Sequence, residues 1–186
     1  MDSFNQQHLT KNALMFVGNC LSYENHGYLM KFVDAGLITK LSDLLDEEFT
    51  QIVVQVCCIL SNLVASTDPT LAEKQINLFI SQAPLMNLLE KACYSPVASI
   101  QKECLYIFCN LVNLGTNTQI KTIWEFAENP VQENLDGLGA SETDNLKTEN
   151  LLVKPLVVGV QNSKVVHLTY ELLQAINRLI KLDEIY

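Results

Sequence analysis

One amphipathic pattern occurs three times in this chain, and it constrains the fold more than any other feature. Its longest copy is residues 99–115, in which apolar residues recur at three- and four-residue steps, as they do on one face of a helix. Pro96 lies just before this segment, and Gly115 is expected to end the helix. The pattern therefore predicts a long helix whose packing face carries Ile100, Cys104, Leu105, Phe108, Leu111 and Val112.

The same helix has a second, polar face, and two earlier segments of the chain align with it. Three slots on this face are spaced by three and four residues, which is about one helical turn, so their side chains lie in a row. Residues 11–21 and 51–65 supply the earlier copies, and the asparagine slot recurs after 43 residues and again after 48. In chain order the slots hold Met15 and Asn19; Gln55, Cys58 and Asn62; and Glu103, Tyr106 and Asn110.

This spacing indicates a repeat protein. A period of roughly 40–47 residues built from two or three helices is typical of HEAT and armadillo arrays. We therefore predict an all-α solenoid of about four repeats, whose stacked third helices line an extended groove. The predicted units are a partial repeat at 1–22 that consists of a long third helix, repeats at 23–66 and 67–115, and a repeat at 116–186 with an acidic insertion at about 128–150.

Turn and cap signals divide the repeats into individual helices. Gly36 is expected to end one helix, and Asp68 followed by Pro69 is expected to begin another. In the last repeat, alignment on Ser163 places the asparagine slot at Ala175, so the asparagine row is expected to end before that repeat. The predicted helices are residues 8–22, 26–35, 37–45, 50–65, 70–82, 84–94, 97–114, 117–127, 151–160 and 163–182.

Five short segments carry a more specific similarity. They are residues 32–45, the Ser-Asn-Leu and Cys-Asn-Leu tripeptides at 61–63 and 109–111, and the segments 116–120 and 162–166. In this order and spacing they resemble the C-terminal repeats of the importin-α (karyopherin-α) family. The resemblance covers nearly the whole chain except about 127–148, and it implies a right-handed superhelix of armadillo repeats.

The resemblance implies a nuclear import adaptor. Such proteins bind the basic nuclear-localisation signals of their cargo in a groove lined by tryptophan and asparagine, and the repeats resembled here correspond to the minor signal-binding site. The resemblance further implies contact with the export receptor that recycles importin-α, and residence in both cytoplasm and nucleus. The family's Arg/Lys-rich N-terminal segment does not precede His8, so the sequence is expected to be a fragment or a divergent short form.

Seven residues take groove roles under this resemblance. The asparagines match the ladder that holds the backbone of a bound peptide, and one glutamate matches an acidic position of the family. The chain departs from the family at the tryptophan slots, and at one acidic slot glutamine replaces a carboxylate. The candidate peptide-binding residues are Asn19, Asn62, Asn110 and Glu103, with Cys58 and Tyr106 at the tryptophan slots and Gln55 at the neutral slot.

Composition limits the classes of partner. The chain has 48% apolar residues, 18% charged residues and a net charge of −9, which favours basic partners over nucleic acid or anionic membranes. No apolar run approaches the roughly 20 residues of a membrane span, and no signal peptide is visible. The six cysteines are expected to be free thiols, and neither they nor the three histidines have metal-ligand spacing. Without a catalytic motif, we expect no enzymatic activity and no cofactor.

Two kinds of alternative stay open at this stage. An asparagine near a helix end is often a local cap, Tyr106 is equally consistent with packing, and Glu103 is equally consistent with a solvated helix charge. The alternative function is an armadillo scaffold that binds other proteins without transporting cargo. The replaced tryptophans favour the scaffold, and the ordered match to importin-α favours the adaptor.

Overall fold

The described part of the chain is built from helices alone, as predicted. The computed structural model describes residues 3–22, 26–128 and 152–183. The acidic insertion predicted at 128–150 lies outside these residues except for Glu128. The ten helices of the described residues are α1 (Ser3–Ser22), α2 (His26–Asp34), α3 (Leu37–Ser42), α4 (Thr50–Leu63), α5 (Pro69–Gln82), α6 (Leu85–Tyr94), α7 (Ala98–Leu114), α8 (Asn117–Glu128), α9 (Val153–Asn162) and α10 (Val166–Asp183).

The helix α3 is shorter than the sequence predicts, because the backbone hydrogen bonds after it span three residues instead of four. The helix ends at Ser42 rather than at residue 45. Beyond it, the N–H of Leu44 donates to the carbonyl of Leu41, and the N–H of Leu45 donates to Ser42, each at 3.1 Å. These tighter, three-residue bonds keep Leu45 in the core, where it is 1% exposed. The apolar pattern therefore continues where the α-helix does not.

The helix α10 also begins later than predicted, at Val166 rather than at residue 163. The hydroxyl of Ser163 accepts a hydrogen bond from the N–H of Val165 at 3.2 Å. A side-chain oxygen that binds a backbone N–H two residues ahead competes with helical bonding, so the helix starts after this turn. At the other end of the chain, α1 begins at Ser3, five residues earlier than predicted.

Two predicted cap signals are confirmed. Gly36 has a φ of 82°, in the left-handed region that favours glycine, and its N–H donates to Val33 at 2.9 Å. The carboxylate of Asp68 accepts the N–H of Leu71 at 2.9 Å, which satisfies a free donor in the first turn of α5. These two residues therefore fix where α2 ends and where α5 begins.

Gly115 ends α7 as predicted, but it does so in an extended conformation. Its φ of −68° and ψ of 157° are accessible to any residue, so left-handed backbone is not the reason for glycine here. A Cβ atom at this position would lie 2.5 Å from the carbonyl oxygen of Leu111. Close approach of the chain to the last turn of α7 is therefore what requires glycine.

The long helices α1, α4, α7 and α10 form one stack, and they correspond to the third helices of successive repeats. In this stack α4 packs between α1 and α7, and α7 packs between α4 and α10. The second helices α6 and α9 pack behind α7 and against each other. All of them share one continuous apolar core. Among the helices of the described residues, this arrangement leaves one long side of the stack uncovered.

A set of four buried positions recurs from α4 to α7 and from α7 to α10, at a single sequence offset in each step. This alignment corrects the expectation for the asparagine slot of the last repeat. The buried residues of α4 recur on α7 after 48 residues, and those of α7 recur on α10 after 68. This offset makes Ala175 the buried counterpart of Ile107, so the expectation that Ala175 fills the half-buried asparagine slot is wrong. Arg178 occupies that slot instead. The matching buried sets are Ile52, Val56, Ile59 and Leu63; Ile100, Cys104, Ile107 and Leu111; and Leu168, Leu172, Ala175 and Leu179.

Both ends of the stack expose apolar side chains. On α1, Leu14 is buried and Gly18 approaches Ile59 of α4, whereas Phe16 lies on the opposite side and is 66% exposed. On α10, the side that faces away from α7 carries apolar residues at steps of four, three and seven, which keep them on one face of the helix. Those exposed residues are Val166, Tyr170, Leu173 and Ile180. Among the described helices none packs on the outer side of α1 or of α10, which explains this exposure.

We expect Asp68→Ala to lower the free energy of unfolding by about 1 kcal/mol, because the N–H of Leu71 loses its acceptor. Urea denaturation followed by circular dichroism measures the change. Asp68→Asn is the matched control, because its amide oxygen can still accept this bond, and it is expected to lose much less. Equal losses in the two variants would contradict a stabilising cap.

Candidate functional site

The clear side of the stack forms one continuous surface, which we call the groove surface. The register relates each position on one helix to a position on the next, and each position is exposed or half-buried. All seven residues predicted from the sequence lie on it. Its four rows are His8, Asn12, Met15 and Asn19 on α1; Gln51, Gln55, Cys58 and Asn62 on α4; Ser99, Glu103, Tyr106 and Asn110 on α7; and His167, Glu171, Gln174 and Arg178 on α10.

Asn110 links two helices of the stack. Its Nδ2 donates to the carbonyl oxygen of Ser61 on α4 at 3.2 Å, and it lies 3.5 Å from the hydroxyl oxygen of the same residue. The same carbonyl also accepts the N–H of Val64 at 3.3 Å, so Asn110 adds a second donor at the end of α4. The amide oxygen of Asn110 is not used by this contact, so one acceptor remains for a ligand. Asn110 therefore has a structural role beside its predicted binding role.

Asn62 and Asn19 differ from Asn110 in this respect. Asn62 is half-buried and Asn19 is exposed, and neither side chain has a hydrogen bond to another described residue. An amide with two donors and an acceptor can pair with both the N–H and the C=O of an extended peptide. These two asparagines are therefore the groove positions best placed to hold a peptide backbone.

The carboxylate of Glu103 is already paired. Its Oε1 lies 3.0 Å from the Nζ of Lys102, and the glutamate side chain is only 15% exposed. The hydrogen bond and the charge of Glu103 raise the pKa of Lys102. A basic ligand at this point must therefore compete with a neighbouring ammonium group for the carboxylate.

Tyr106 packs beside the last helix of the stack. Its ring centroid lies 6.3 Å from that of His167 on α10, and the two rings are inclined at 42°. Burial is the main cause that raises the pKa of the Tyr106 hydroxyl. Part of this ring is therefore packing surface, and the rest forms a wall that an aliphatic stem could cover.

A second carboxylate, which the sequence did not identify, lies next to these rings. Glu171 accepts a hydrogen bond from Nδ2 of Asn113 at 3.1 Å, and the same amide nitrogen lies 3.2 Å from the carbonyl oxygen of Glu171. The other carboxylate oxygen lies 3.7 Å from Nε2 of His167. Glu103 and Glu171 thus form the acidic part of the groove surface, one on each of two neighbouring helices.

Cys58 and Gln55 make the adjoining part of the groove neutral. Burial raises the pKa of the Cys58 thiol, and the negative charge of Glu103 raises it further. The thiol is therefore protonated at neutral pH and acts as a small apolar group. The replacement of aromatic area by Cys58 leaves the space beside Asn62 without a wall of the kind that Tyr106 supplies.

Arg178 occupies the asparagine slot of α10, and its side chain caps the C-terminal end of α7. Its guanidinium donates to the carbonyl oxygens of Val112 at 2.7 Å, Asn113 at 2.6 Å and Gly115 at 2.5 Å. Burial lowers the pKa of this guanidinium. A cation at a helix C-terminus is favoured because it meets the free carbonyls and the negative end of the dipole. The 68-residue register, unlike the local sequence, identifies Arg178 as the counterpart of Asn110.

The groove surface therefore changes in character along the stack. The rows on α1 and α4 are rich in amides and include His8, and the Nζ of the neighbouring Lys11 donates to Gln51 at 2.6 Å. The rows on α7 and α10 contain both carboxylates, each held by a neighbouring donor. The arrangement suits hydrogen bonding to a peptide backbone along its whole length and contact with a cation at one end.

The cysteines and other ligand-type residues form no further centre in the described part of the chain. The six cysteines are thiols, and the Sγ of Cys104 lies 3.6 Å from that of Cys57 inside the core. Within residues 3–22, 26–128 and 152–183, no three His, Cys, Asp or Glu side chains meet as metal ligands would. None of the helices in the described residues combines the length and the apolar character that a membrane crossing requires.

Comparison with solved structures identifies the fold. Designed armadillo repeat proteins for modular peptide recognition match 98% of this chain and 82% of their own, with a TM-score of 0.59 and 20% identity. The designed armadillo protein YIII(Dq.V1)4CPAF, solved in complex with the peptide (KR)4, matches 90% of this chain and 74% of its own, with a TM-score of 0.59 and 19% identity. The chain is therefore an all-α armadillo solenoid. No family model and no curated protein matches it.

We expect Arg178→Met to lower the free energy of unfolding by about 1–3 kcal/mol, because three carbonyl groups lose a charged donor. Urea denaturation measures the loss. Lys181→Met, which removes an exposed cation from the same helix, is the matched control and should change stability little. If the two substitutions cost the same, the contacts of Arg178 with α7 do not stabilise the stack.

We expect Glu103→Gln to speed the alkylation of Cys58 by iodoacetamide at mildly alkaline pH. The carboxylate raises the pKa of this thiol, so its removal lowers the pKa and increases the thiolate fraction. Peptide mapping by mass spectrometry gives the rate at each cysteine. Cys109, whose pKa burial raises to about 12, is the slow internal reference, and Glu90→Gln is the charge-matched control. An unchanged rate at Cys58 would argue against this electrostatic contact.

Proposed function

We propose that this chain is a peptide-binding armadillo module whose groove surface holds an extended segment of a partner protein. The observation that carries this proposal is the row of asparagines at repeat spacing on the clear side of the stack. Asn19 and Asn62 have no competing side-chain bond within the described residues, and Asn110 keeps its amide oxygen. Such amides bind backbone groups and hold a peptide extended without reading its sequence.

A basic ligand fits this surface better than an acidic one. Glu103 and Glu171 lie on neighbouring helices, and Tyr106, one turn from Glu103 and beside His167, offers its ring to the stem of a lysine or arginine. The net charge of −9 attracts cationic segments at long range. One designed armadillo protein with a similar fold was solved with a peptide of alternating lysine and arginine.

The more specific form of the proposal is an importin-α-like nuclear import adaptor. Its ligand would be the basic nuclear-localisation signal of a cargo protein, and its C-terminal repeats would contact the export receptor that returns importin-α. The chain would then act in both cytoplasm and nucleus. The ordered motifs and the asparagine row support this form, as does the acidic end of the groove surface.

The second candidate is an armadillo scaffold that binds proteins without transporting cargo, and a specific observation favours it. Both carboxylates are held within the protein, Glu103 by Lys102 at 3.0 Å and Glu171 by Asn113 at 3.1 Å. Cys58 and Gln55 stand where a basic-peptide groove would need an aromatic ring and a charge. A surface with these features selects less strongly for lysine and arginine. In both candidates the role is binding, and neither assigns a reaction to the chain.

Fluorescence anisotropy with two labelled peptides tests the proposal. One peptide is a bipartite basic nuclear-localisation signal, and the other has the same length with each lysine and arginine replaced by glutamine. We expect the basic peptide to bind, and Asn62→Ala with Asn110→Ala to weaken it about tenfold, which is about 1.4 kcal/mol. Gln82→Ala with Asn162→Ala, which removes two exposed amides away from the groove surface, should leave the affinity unchanged.

The outcomes separate the two candidates. Binding of the basic peptide that weakens at higher salt and in Glu103→Gln supports the adaptor. Equal binding of both peptides, lost in the asparagine variant, supports the scaffold. If neither peptide binds, or if the asparagine variant binds as well as the wild type, the groove surface does not hold extended peptides in this way.

A further inference from the structure

A second concave site lies between α8 and α10, away from the groove surface. It is an open cleft of about 220 Å³, and its apolar walls are Ile120, Trp124, Leu179 and Leu182. Ile120 and Leu179 belong to the buried core, whereas Trp124 is half-buried against it. We call this site the α8–α10 cleft. No residue that lines it belongs to the rows of the groove surface.

The mouth of the α8–α10 cleft is acidic and includes a fixed carboxylate. The indole N–H of Trp124 donates to Oε1 of Glu128 at 2.6 Å, which holds the carboxylate beside the ring. Glu125, one turn from Lys121, lies 3.9 Å from its ammonium group, and both side chains are more than half exposed. This ion pair is weak, because both side chains are exposed and the charged atoms are far apart. A cationic ligand therefore competes easily with Lys121 for the carboxylate of Glu125.

The size of the cleft limits what it can hold. Sites for cofactors and drug-sized ligands are typically about 300–1,000 Å³, so a volume of about 220 Å³ suits a single side chain better. An aromatic ring next to a carboxylate, over an apolar floor, matches a side chain with an aliphatic stem and a cationic head. The ring and floor cover the stem, and the carboxylates bind the head.

We propose that the α8–α10 cleft binds an arginine or lysine side chain from a basic amphipathic segment of a partner protein. The aliphatic stem of that residue packs on Trp124 and Leu182, and its head pairs with Glu128 and Glu125. Two carboxylates against one ammonium group leave the mouth with a net negative charge, and the charge of −9 on the whole chain acts in the same direction. This site does not depend on the groove surface.

The chain itself provides the probe for a test, because Trp124 is its only tryptophan. We would titrate the full chain with a blocked peptide of alternating leucine and arginine and record the tryptophan emission. The peptide contains no aromatic residue, so the recorded emission reports on the surroundings of Trp124 alone. A peptide of alternating leucine and glutamine has the same apolar content without the charge. We expect a saturable change with the arginine peptide only.

Two pairs of substitutions separate the cleft from general electrostatic attraction. Glu125→Gln with Glu128→Gln removes both carboxylates of the mouth, while the glutamine oxygen can still accept the indole N–H. Glu47→Gln with Glu48→Gln removes the same charge from an exposed turn before α4. We expect the first pair to weaken arginine-peptide binding at least about tenfold, or about 1.4 kcal/mol, and the second pair to change it little.

Every outcome bears on the proposal. Saturable binding that is lost in the first pair and kept in the second, and kept also in Asn62→Ala with Asn110→Ala, supports the cleft. The proposal is wrong if the emission does not saturate, or if the leucine–glutamine peptide binds equally well. It is also wrong if both glutamate pairs lose affinity alike. Loss in the asparagine variant alone would assign the binding to the groove surface instead.

Discussion

The contact between successive third helices is the constraint on which the rest of this protein depends. Each of α4 and α7 is flanked by two others of the stack, and their buried faces repeat at fixed offsets. A solenoid repeat cannot bury its apolar face alone, so every residue in this contact serves two repeats at once. The fully buried pair Cys57 and Cys104, with sulfur atoms 3.6 Å apart, shows how closely the helices meet. Register, groove and cleft all follow from this packing.

The same packing explains why the groove surface is only partly free for a ligand. A helix that ends inside a stack leaves carbonyl groups without partners, and the next helix must satisfy them. Arg178 does so for three carbonyls at the end of α7, and Asn110 adds a second donor to the carbonyl of Ser61. The ladder position is therefore both a joint between repeats and a potential peptide contact. On α10 the longer side chain of Arg178 takes the place of an asparagine and binds the carbonyl groups at the end of α7.

The sequence predicts the helices and the core well because both depend on local spacing. Three- and four-residue steps identified the buried face of α7, and the signals at Gly36 and Asp68 were confirmed. It failed where side chains act across helices. Ser163 looked like a helix start but binds the N–H of Val165, so the last repeat was misaligned and Ala175 was chosen over Arg178. Glu171, Asn113 and the α8–α10 cleft depend on residues more than 50 positions apart, and no local pattern marks them.

The exposed outer sides of α1 and α10 have a consequence for how such molecules meet. Phe16 at one end and Leu173 at the other lie on unlike surfaces, so a contact between them would be heterologous. Such a contact joins one molecule to the next head to tail. Each end of the resulting assembly still has one uncovered surface that can bind a further molecule. Unless rotation closes a ring, the product is an open linear polymer whose groove surfaces run on from one subunit to the next.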